Sequence, residues 1–277
     1  MRIVRTARAL QALAGRWRAR GERIGFVPTM GALHAGHLSL ARRSRRENQR
    51  TVVSIFVNPT QFGPREDLAR YPRPRRRDLA LCRAAGVDAV FAPSAAGFYP
   101  PGFQTWVTVE ELSRPLCGPF RPGHFRGVAT VVLKLLNAAL PHRAYFGEKD
   151  FQQLRVVERL VRDLDVPVRV VPCPTVREKD GLALSSRNRY LSDAERRAAP
   201  GVRRALRAGA QVLRSRRNAA AAERAVRRAL AQGGLRRIQY VSVVDARTLR
   251  PWRAGPARIA AAVFAGRTRL IDNLRAG

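Results

Sequence analysis

Short apolar segments alternate with helical periodicity over the first 175 residues of this 277-residue chain. Apolar runs of this kind predict strands buried on both faces, and the segments between them predict helices that cover the sheet. The order predicts an α/β fold with a Rossmann-like parallel sheet. The predicted strands are 24–27, 51–57, 89–91, 144–146 and 168–171, and the predicted helices lie near 37–47, 75–85, 128–139 and 151–164.

The character of the chain changes after the break at Pro172-Cys173-Pro174. Residues 192–217 and 218–231 are rich in alanine and arginine and predict helices, the first of them opened by a capping box of Ser192 and Glu195. Strands are predicted at 238–244, 258–264 and 268–271. We therefore expect a catalytic domain over 1–175 and a smaller α+β C-terminal domain over 176–277.

The formal net charge of +33 is extreme, but it has two interpretations. A pI near 11.9 is typical of proteins that bind nucleic acid. However, the arginines are spread along the chain, and only Lys134, Lys149 and Lys179 are lysines, against 50 arginines. This skew favours a general preference for arginine, so we expect no specific nucleic-acid partner. A lysine in a chain that otherwise uses arginine then indicates a place where a compact ammonium group is needed.

Cysteine content and hydropathy indicate the compartment. The three cysteines are far apart and form no C-x-x-C pair, which is typical of a reducing cytosol without a disulfide framework or zinc site. No apolar run approaches the roughly 18 residues that a membrane-spanning helix needs. A cytoplasmic protein with no membrane association is therefore expected.

The most informative motif is H-x-G-H, formed by His34 and His37 after the first predicted strand, where the chain turns into a helix. A helix start offers unpaired backbone N–H groups and the positive end of the helix dipole, which suit phosphate. Gly31 and Gly36 allow a bulky anion to approach the backbone. The first domain is therefore expected to bind a nucleotide. The alternative is a pair of histidines satisfied by local hydrogen bonds.

Three further segments carry polar groups at strand ends or in loops. Asn58 and Gln61 follow a predicted strand and suit a small polar substrate, although the segment could be a plain turn. Lys149 and Asp150 precede a helix that carries Gln152 and Gln153, of which at least one should face the pocket. The loop over 176–189 carries hydroxyl groups and an arginine that can contact a triphosphate and neutralise developing charge. Its residues in question are Ser185, Ser186 and Arg187.

These segments together resemble the pantoate–β-alanine ligase family nearly from end to end. The segments that carry the resemblance are PTMGALHAGH (28–37), FVNPTQF (56–62), RPGHFRGV (121–128), FGEKDFQQL (146–154), REKDGLALSSRN (177–188) and GRTRLIDN (266–273). The resemblance implies an enzyme, an AMP-forming ligase that makes a C–N amide bond. It would condense (R)-pantoate with β-alanine to pantothenate through a pantoyl adenylate, with ATP as substrate and Mg²⁺ assisting. It also implies a homodimer and a C-terminal domain that closes over the active site.

The resemblance assigns roles residue by residue. His37, usually taken as the acid, His34, Lys149 and Arg187 are the expected catalytic residues. Gln61 and Gln153 are expected to hold pantoate, with Asn58 beside them, while Arg121 and His124 border the approach of β-alanine. The residues expected to contact ATP are Met30, Gly31, Ala32, Leu33, His34, Ala35, Gly36, His37, Gly147, Glu148, Lys149, Asp150, Val176, Leu184, Ser185, Ser186 and Arg187.

Two departures and two alternatives remain open. Thr60 stands where many relatives carry methionine. Arg75, Arg76 and Arg77 stand where some relatives carry an acidic run, which leaves Asp78 alone and any protein ligand of Mg²⁺ unknown. One alternative is another adenylating or nucleotidyl-transferring enzyme with the same H-x-G-H motif. The other is a nucleic-acid-binding protein with a vestigial nucleotide site.

Overall fold

A computed structural model describes residues 1–64 and 66–276 of the chain. By its internal contacts the chain divides into two compact units. The first unit comprises Met1–Ser113, Phe120–Glu148 and Gln153–Pro174, and the second comprises Arg114–Pro119, Lys149–Gln152 and Thr175–Gly277. Two short segments from within the first 175 residues thus belong to the second unit.

The first unit contains a six-stranded parallel sheet with the strand order β1-β4-β3-β2-β5-β6, which confirms the predicted parallel-sheet α/β fold. Helices lie between the strands, as the alternating pattern predicts. Val27, Val53 and Val90 from three neighbouring strands are buried in one apolar cluster. The strands are β1 (Arg2–Val4), β2 (Ile24–Thr29), β3 (Arg50–Ile55), β4 (Ala89–Phe91), β5 (Arg143–Gly147) and β6 (Arg169–Cys173). The helices within residues 1–174 are α1 (Ala7–Ala19), α2 (Ala35–Glu47), α3 (Arg75–Ala84), α4 (Ala95–Phe98), α5 (Glu110–Ser113), α6 (His124–Ala139) and α7 (Phe151–Asp163), of which α7 begins in the second unit and continues in the first.

The first strand and helix were missing from the sequence prediction. In α1 the buried residues Leu10, Leu13, Ala14 and Trp17 recur at helical spacing, and the side chain of Thr6 caps the helix by accepting from the N–H of Ala9. This periodicity is visible in the sequence, although frequent arginines interrupt it. Strand β1 has only three residues, too few for a pattern to show.

The second unit contains a three-stranded antiparallel sheet with the order β7-β8-β9. Its strands are β7 (Arg237–Asp245), β8 (Ala257–Ala265) and β9 (Thr268–Ala276), and its helices are α8 (Asp193–Ala198), α9 (Gly201–Arg216) and α10 (Ala219–Gln232). Leu206, Leu213, Val226 and Leu230 from α9 and α10 are buried against Ile259 and other sheet residues. The α+β character of this part of the chain is therefore confirmed.

The helix predicted over 192–217 is instead two helices. The predicted capping box of Ser192 and Glu195 is present and opens α8. A new helix begins after Pro200, which has no N–H to continue the hydrogen-bond ladder of the preceding turn. The break follows from proline chemistry and was readable in the sequence. In the part of the chain that the structure describes, no helix has the length and apolarity to cross a membrane.

Candidate active site

The H-x-G-H loop lies at the carboxyl end of β2 and opens α2. His34 is the N-cap residue of α2, and its Nδ1 accepts a hydrogen bond from the N–H of Gly36 at 3.1 Å. The neutral His34 ring therefore carries its proton on Nε2. The His34 and His37 rings lie 4.0 Å apart between centroids. Both imidazoles thus stand at a helix N-terminus, the place where anions bind most readily.

A buried carboxylate holds the backbone of this loop. Asp78 from α3 is 1% exposed, and its two oxygens accept from the N–H groups of Ala32 and Leu33, each at 2.8 Å. Gly31 and Ala32 both have positive φ angles, 82° and 50°. A left-handed alanine is strained, and it persists only where its surroundings compensate. Asp78, which the sequence left without a role, supplies that compensation. We take this residue as a positioning residue that sequence reasoning missed.

Asn58 and Gln61 lie in a 3₁₀ turn directly after β3, at the same edge of the sheet. The Nδ2 of Asn58 donates to Gln61 Oε1 at 3.1 Å and to the carbonyl of Gly127 at 3.2 Å. Its Oδ1 accepts from the N–H and hydroxyl of Thr60. All four hydrogen-bonding positions of the Asn58 amide are therefore taken by protein groups. Asn58 fixes the turn and the orientation of Gln61.

Gln61 keeps capacity for a ligand. Its Nε2 donates to Met30 Sδ at 3.1 Å, and its Oε1 accepts from Asn58. One N–H and one lone pair of the amide remain beyond these bonds. The turn is pressed against α6, because a Cβ on Gly127 would come within 2.4 Å of the Thr60 carbonyl oxygen. Only glycine allows this close approach.

Arg121 and His124 support the same turn from α6 and the residues before it. His124 is 8% exposed, and its Nδ1 lies 2.8 Å from the carbonyl oxygen of Gln61. Its Nε2 lies 2.8 Å from Arg121 Nη1, so Nδ1 carries the proton and Nε2 accepts. Arg121 is paired with Glu66 through two contacts of 2.6 Å. Burial by itself would raise the pKa of Glu66, but the hydrogen bonds from Arg121 hold that pKa below its ordinary value.

A second group of candidate residues lies in the second unit, around β9. Asn273 donates to the carbonyl of Lys149 at 2.9 Å. Asp272 is 5% exposed and pairs with both terminal nitrogens of Arg177, at 2.7 and 2.8 Å. Strand β9 also contacts the 3₁₀ turn Ser186–Tyr190. The GRTRLIDN segment therefore holds in place two segments that the sequence assigned to phosphate.

The 176–189 loop is held in shape by hydrogen bonds between its own residues. Leu184 N–H donates to the carbonyl of Val176 at 3.0 Å, and Arg177 and Ala183 form an antiparallel bridge. Ser185 caps the following turn, with its hydroxyl accepting from Arg187 N–H at 3.3 Å. The side chain of Asn188 donates to the carbonyl of Ala183 at 3.1 Å. These bonds fix the chain on both sides of Ser185 and Arg187.

The two adjacent glutamines at the start of α7 have different hydrogen-bonding roles. Gln152 is 5% exposed, and its amide accepts from Cys117 N–H at 3.0 Å and donates to the carbonyl of Pro115. Gln152 is therefore a structural residue of the second unit, which leaves Gln153, half-buried on α7, for the predicted substrate contact. Gly147 ends β5, and Glu148 follows it in the first unit.

Comparison with known proteins decides the family. The family described as Pantoate-beta-alanine ligase matches residues 2–275. The chain belongs to the pantoate–β-alanine ligase family. The chain is 52% identical to the pantothenate synthetase of Moorella thermoacetica, over 99% of this chain and 98% of that protein. It is 50% identical to the pantothenate synthetase of Thermotoga neapolitana, over 99% of each.

Solved structures of ligase-family proteins are similar along the whole chain. Pantothenate synthetase from Thermus thermophilus gives a TM-score of 0.93 at 52% identity, covering 100% of this chain and 99% of that one. The pantoate-beta-alanine ligase of Francisella tularensis, complexed with Beta-gamma ATP and Beta-alanine, gives 0.83 at 34% identity, covering 99% and 97%. The family resemblance that the six sequence segments carry is thus confirmed.

Proposed function

We propose that the chain condenses (R)-pantoate with β-alanine at the expense of ATP. The observation that carries the proposal is the edge of the sheet in the first unit. There an H-x-G-H helix start lies beside a Gln61 amide that is held by Asn58 and Met30 and still has hydrogen-bonding capacity. One element suits phosphate and the other a small hydroxy acid. The family match and the ATP- and β-alanine-bound relative support the same assignment.

The proposed reaction has two steps. A carboxylate oxygen of pantoate forms a bond to the α-phosphorus of ATP, and the bond from that phosphorus to the bridging oxygen breaks, releasing pyrophosphate. The amine of β-alanine then attacks the acyl carbon, loses a proton, and displaces AMP to leave the amide. The first step gathers negative charge on phosphate oxygens, so positioning and cationic stabilisation supply most of the catalysis.

We assign the chemistry to residues as follows. His34 Nε2–H and the first N–H groups of α2 would bind phosphate oxygens, and His37 would act as the acid at the bridging oxygen. Lys149 and Arg187 would add cationic charge to phosphate oxygens, and Ser185 and Ser186 would donate hydroxyl hydrogens. Gln61 and Gln153 would hold pantoate. Arg121 and His124 would act through the Gln61 backbone that they bond.

Mg²⁺ enters the proposal as the partner of ATP. Both oxygens of Asp78 already accept backbone N–H groups, and the described residues hold no group of three or more His, Cys, Asp or Glu side chains fit for a metal ion. The donor set fits a metal carried by phosphate oxygens and water. There Mg²⁺ would neutralise phosphate charge. Mg²⁺ binding that needs ATP would support this, and tight binding to the chain alone would contradict it.

The decisive experiment is substrate-dependent release of pyrophosphate. Pantoate should be required for release, and subsequent addition of β-alanine should yield AMP and pantothenate. Stimulation by an amino acid or by CTP instead of pantoate would replace this proposal with another adenylating or nucleotidyl-transferring activity. Omission of β-alanine is the matched control, because it separates the first step from the second.

A nucleic-acid function has one observation in its favour, the net charge of +33. Such a protein binds nucleic acid weakly at low salt without any dedicated site, and salt removes that binding steeply. Full turnover at physiological salt in the presence of excess DNA would reject nucleic-acid binding as the main function. We further propose a cytoplasmic homodimer, and sedimentation equilibrium tests the oligomeric state.

A further inference from the structure

A second cationic cavity lies in the first unit, at the edge of the sheet where strands begin. Its volume is about 540 Å³, within the range of small-ligand sites. Arg2 begins β1, Arg50 begins β3, and Asp88 directly precedes β4. The arginines that line the cavity are Arg2, Arg16, Arg20, Arg50 and Arg83. The candidate substrate residues lie instead at the carboxyl ends of the strands, so this cavity is a different place.

Positive side chains outnumber negative ones around the cavity. Arg50 pairs with Glu22 at 2.6 Å and with Asp88 at 3.2 Å, and Arg20 pairs with Glu22 at 3.2 Å. The guanidinium groups of Arg2, Arg16 and Arg83 have no hydrogen-bond or ion-pair partner within residues 1–64 and 66–276. Several cations around one concavity repel one another and create a positive potential that an anion relieves.

The cavity suits phosphate better than a base or a ring. Arginine binds phosphate oxygens through paired N–H groups, with more geometric specificity than a lysine offers. Trp17 lines the cavity, but it is only 5% exposed, and Arg50 already lies over its ring at 5.6 Å. Three unpaired guanidinium groups carry more positive charge than a single phosphate group would balance. We propose that this cavity binds a small anion with two or more phosphate groups.

Distance separates this site from the proposed catalytic one. Arg50 and Ile55 lie at opposite ends of β3. A strand rises roughly 3.3 Å per residue, so about 17 Å separates the two edges of the sheet. An anion in the cavity therefore cannot contact the H-x-G-H loop at the same time. The inference does not depend on the proposed ligase activity.

Concave shape and interrupted charge favour a small ligand over nucleic acid. Glu22 and Asp88 are carboxylates held among the arginines. They interrupt the positive surface that the continuous phosphate backbone of a nucleic acid would follow, whereas a short polyphosphate needs only a local group of cations such as Arg2, Arg16 and Arg83. Nucleic acid is therefore an outcome that the experiment must distinguish.

The test uses inorganic tripolyphosphate as the probe, with calorimetric titration at physiological salt. The parent is a His37→Ala, Lys149→Ala variant, which weakens phosphate binding at the proposed catalytic site. The cavity variant adds Arg2→Gln, Arg16→Gln and Arg83→Gln. The matched control adds Arg214→Gln, Arg224→Gln and Arg228→Gln, which remove the same charge from exposed helix positions of the second unit.

We expect the parent to bind tripolyphosphate, the cavity variant to raise the Kd on the order of tenfold, and the control to leave it within about twofold. Equal losses in both variants, or no binding by the parent, would overturn the proposal. If the cavity variant folds poorly, the charge-reversal variant Arg16→Glu is titrated with tripolyphosphate in its place, and its Kd should also rise. Should a single-stranded oligonucleotide bind where tripolyphosphate does not, and lose affinity only in the cavity variant, the surface binds nucleic acid and the small-anion proposal is wrong.

Discussion

The two groups of candidate residues are held in place by different means. In the first unit, the H-x-G-H loop and the Asn58 turn follow directly from strand ends, and neutral amides and one buried carboxylate fix the backbone. In the second unit, Lys149 and the 184–187 loop depend on strand β9, which is far away in the sequence. Both groups lie on contiguous motifs, and both have supports that are distant in the sequence, 46 positions for Asp78 and Ala32 and 95 for Arg177 and Asp272. The difference is in the kind of contact, since a buried ion pair carries the support in the second unit.

The largest expected effects come from one residue in each group, His37 and Lys149. We expect His37→Ala and Lys149→Ala each to lower the rate of pantoyl-adenylate formation by orders of magnitude, because charge stabilisation at the phosphates is lost. Neither residue is among the buried residues of the described chain, so the free energy of unfolding should change little. The measurements are single-turnover release of pyrophosphate and urea unfolding.

His142→Ala is the matched control for the histidine substitution. Its Nδ1 accepts from the N–H of Ile24 at the start of β2, away from the carboxyl edge of the sheet. A near-normal rate in either active-site variant would remove that residue from the catalytic group. Only the candidate residues of the other unit would then be shown to contribute to catalysis.

The next largest effect is on stability, at Asp272. The side chains of Asp272 and Arg177 are 4% and 17% exposed, so Asp272→Ala leaves a guanidinium with little access to water. Removing one partner of a buried ion pair costs about 3 kcal/mol or more. We expect that loss in the free energy of unfolding, together with faster hydrogen exchange in the 176–190 segment.

The double variant Arg177→Met, Asp272→Leu tests the reason for that loss. Replacement of both charges by apolar groups of similar size is often neutral, so the double variant should recover most of the stability. If the double variant is as unstable as Asp272→Ala, the ion pair is not what holds the loop, and packing of β9 becomes the better explanation.

The sequence predicted the parallel sheet because apolar strands and helices alternate locally, and it predicted the H-x-G-H helix start because the spacing is local as well. It did not predict Asp78 as the support of Ala32 and Leu33, since the residues are 46 and 45 positions apart. The pair of Arg177 and Asp272 spans 95 positions and was equally hidden. The sequence indicated Asn58 as a candidate because it carries an amide. Whether an amide binds a ligand or stabilises the fold depends on its hydrogen-bond partners, which only the structure shows.

A smaller loss is expected at Asp78, the counterpart of Asp272 in the first unit. Asp78→Ala leaves two buried N–H groups without an acceptor, which costs about 1 kcal/mol or more for each. The left-handed backbone at Gly31 and Ala32 should then relax, so adenylate formation should fall even where the protein stays folded. Urea unfolding and single-turnover kinetics measure the two effects.

Asp78→Asn is the graded control at this position, because the amide keeps one acceptor oxygen of nearly the same shape. Its rate and stability should lie between those of wild type and Asp78→Ala. Full activity in Asp78→Ala would show that the loop holds its own geometry, which would break the proposed likeness between Asp78 and Asp272.

The smallest effect concerns pH and the Glu66–Arg121 pair beside Gln61. Because the folded pKa of Glu66 lies below its ordinary value of 4.5, ionised Glu66 contributes stability above that value, and the contribution disappears as the pH falls through the folded pKa. Glu66→Gln should therefore be less stable than wild type near neutral pH, by up to about 1 kcal/mol for a partly exposed pair. The difference in free energy of unfolding should shrink toward zero in acid. A difference that is constant with pH would mean that Glu66 acts by packing rather than by charge. The Gln61 turn would then be held by neutral contacts alone, which would sharpen the contrast with the ion-paired loop of the second unit.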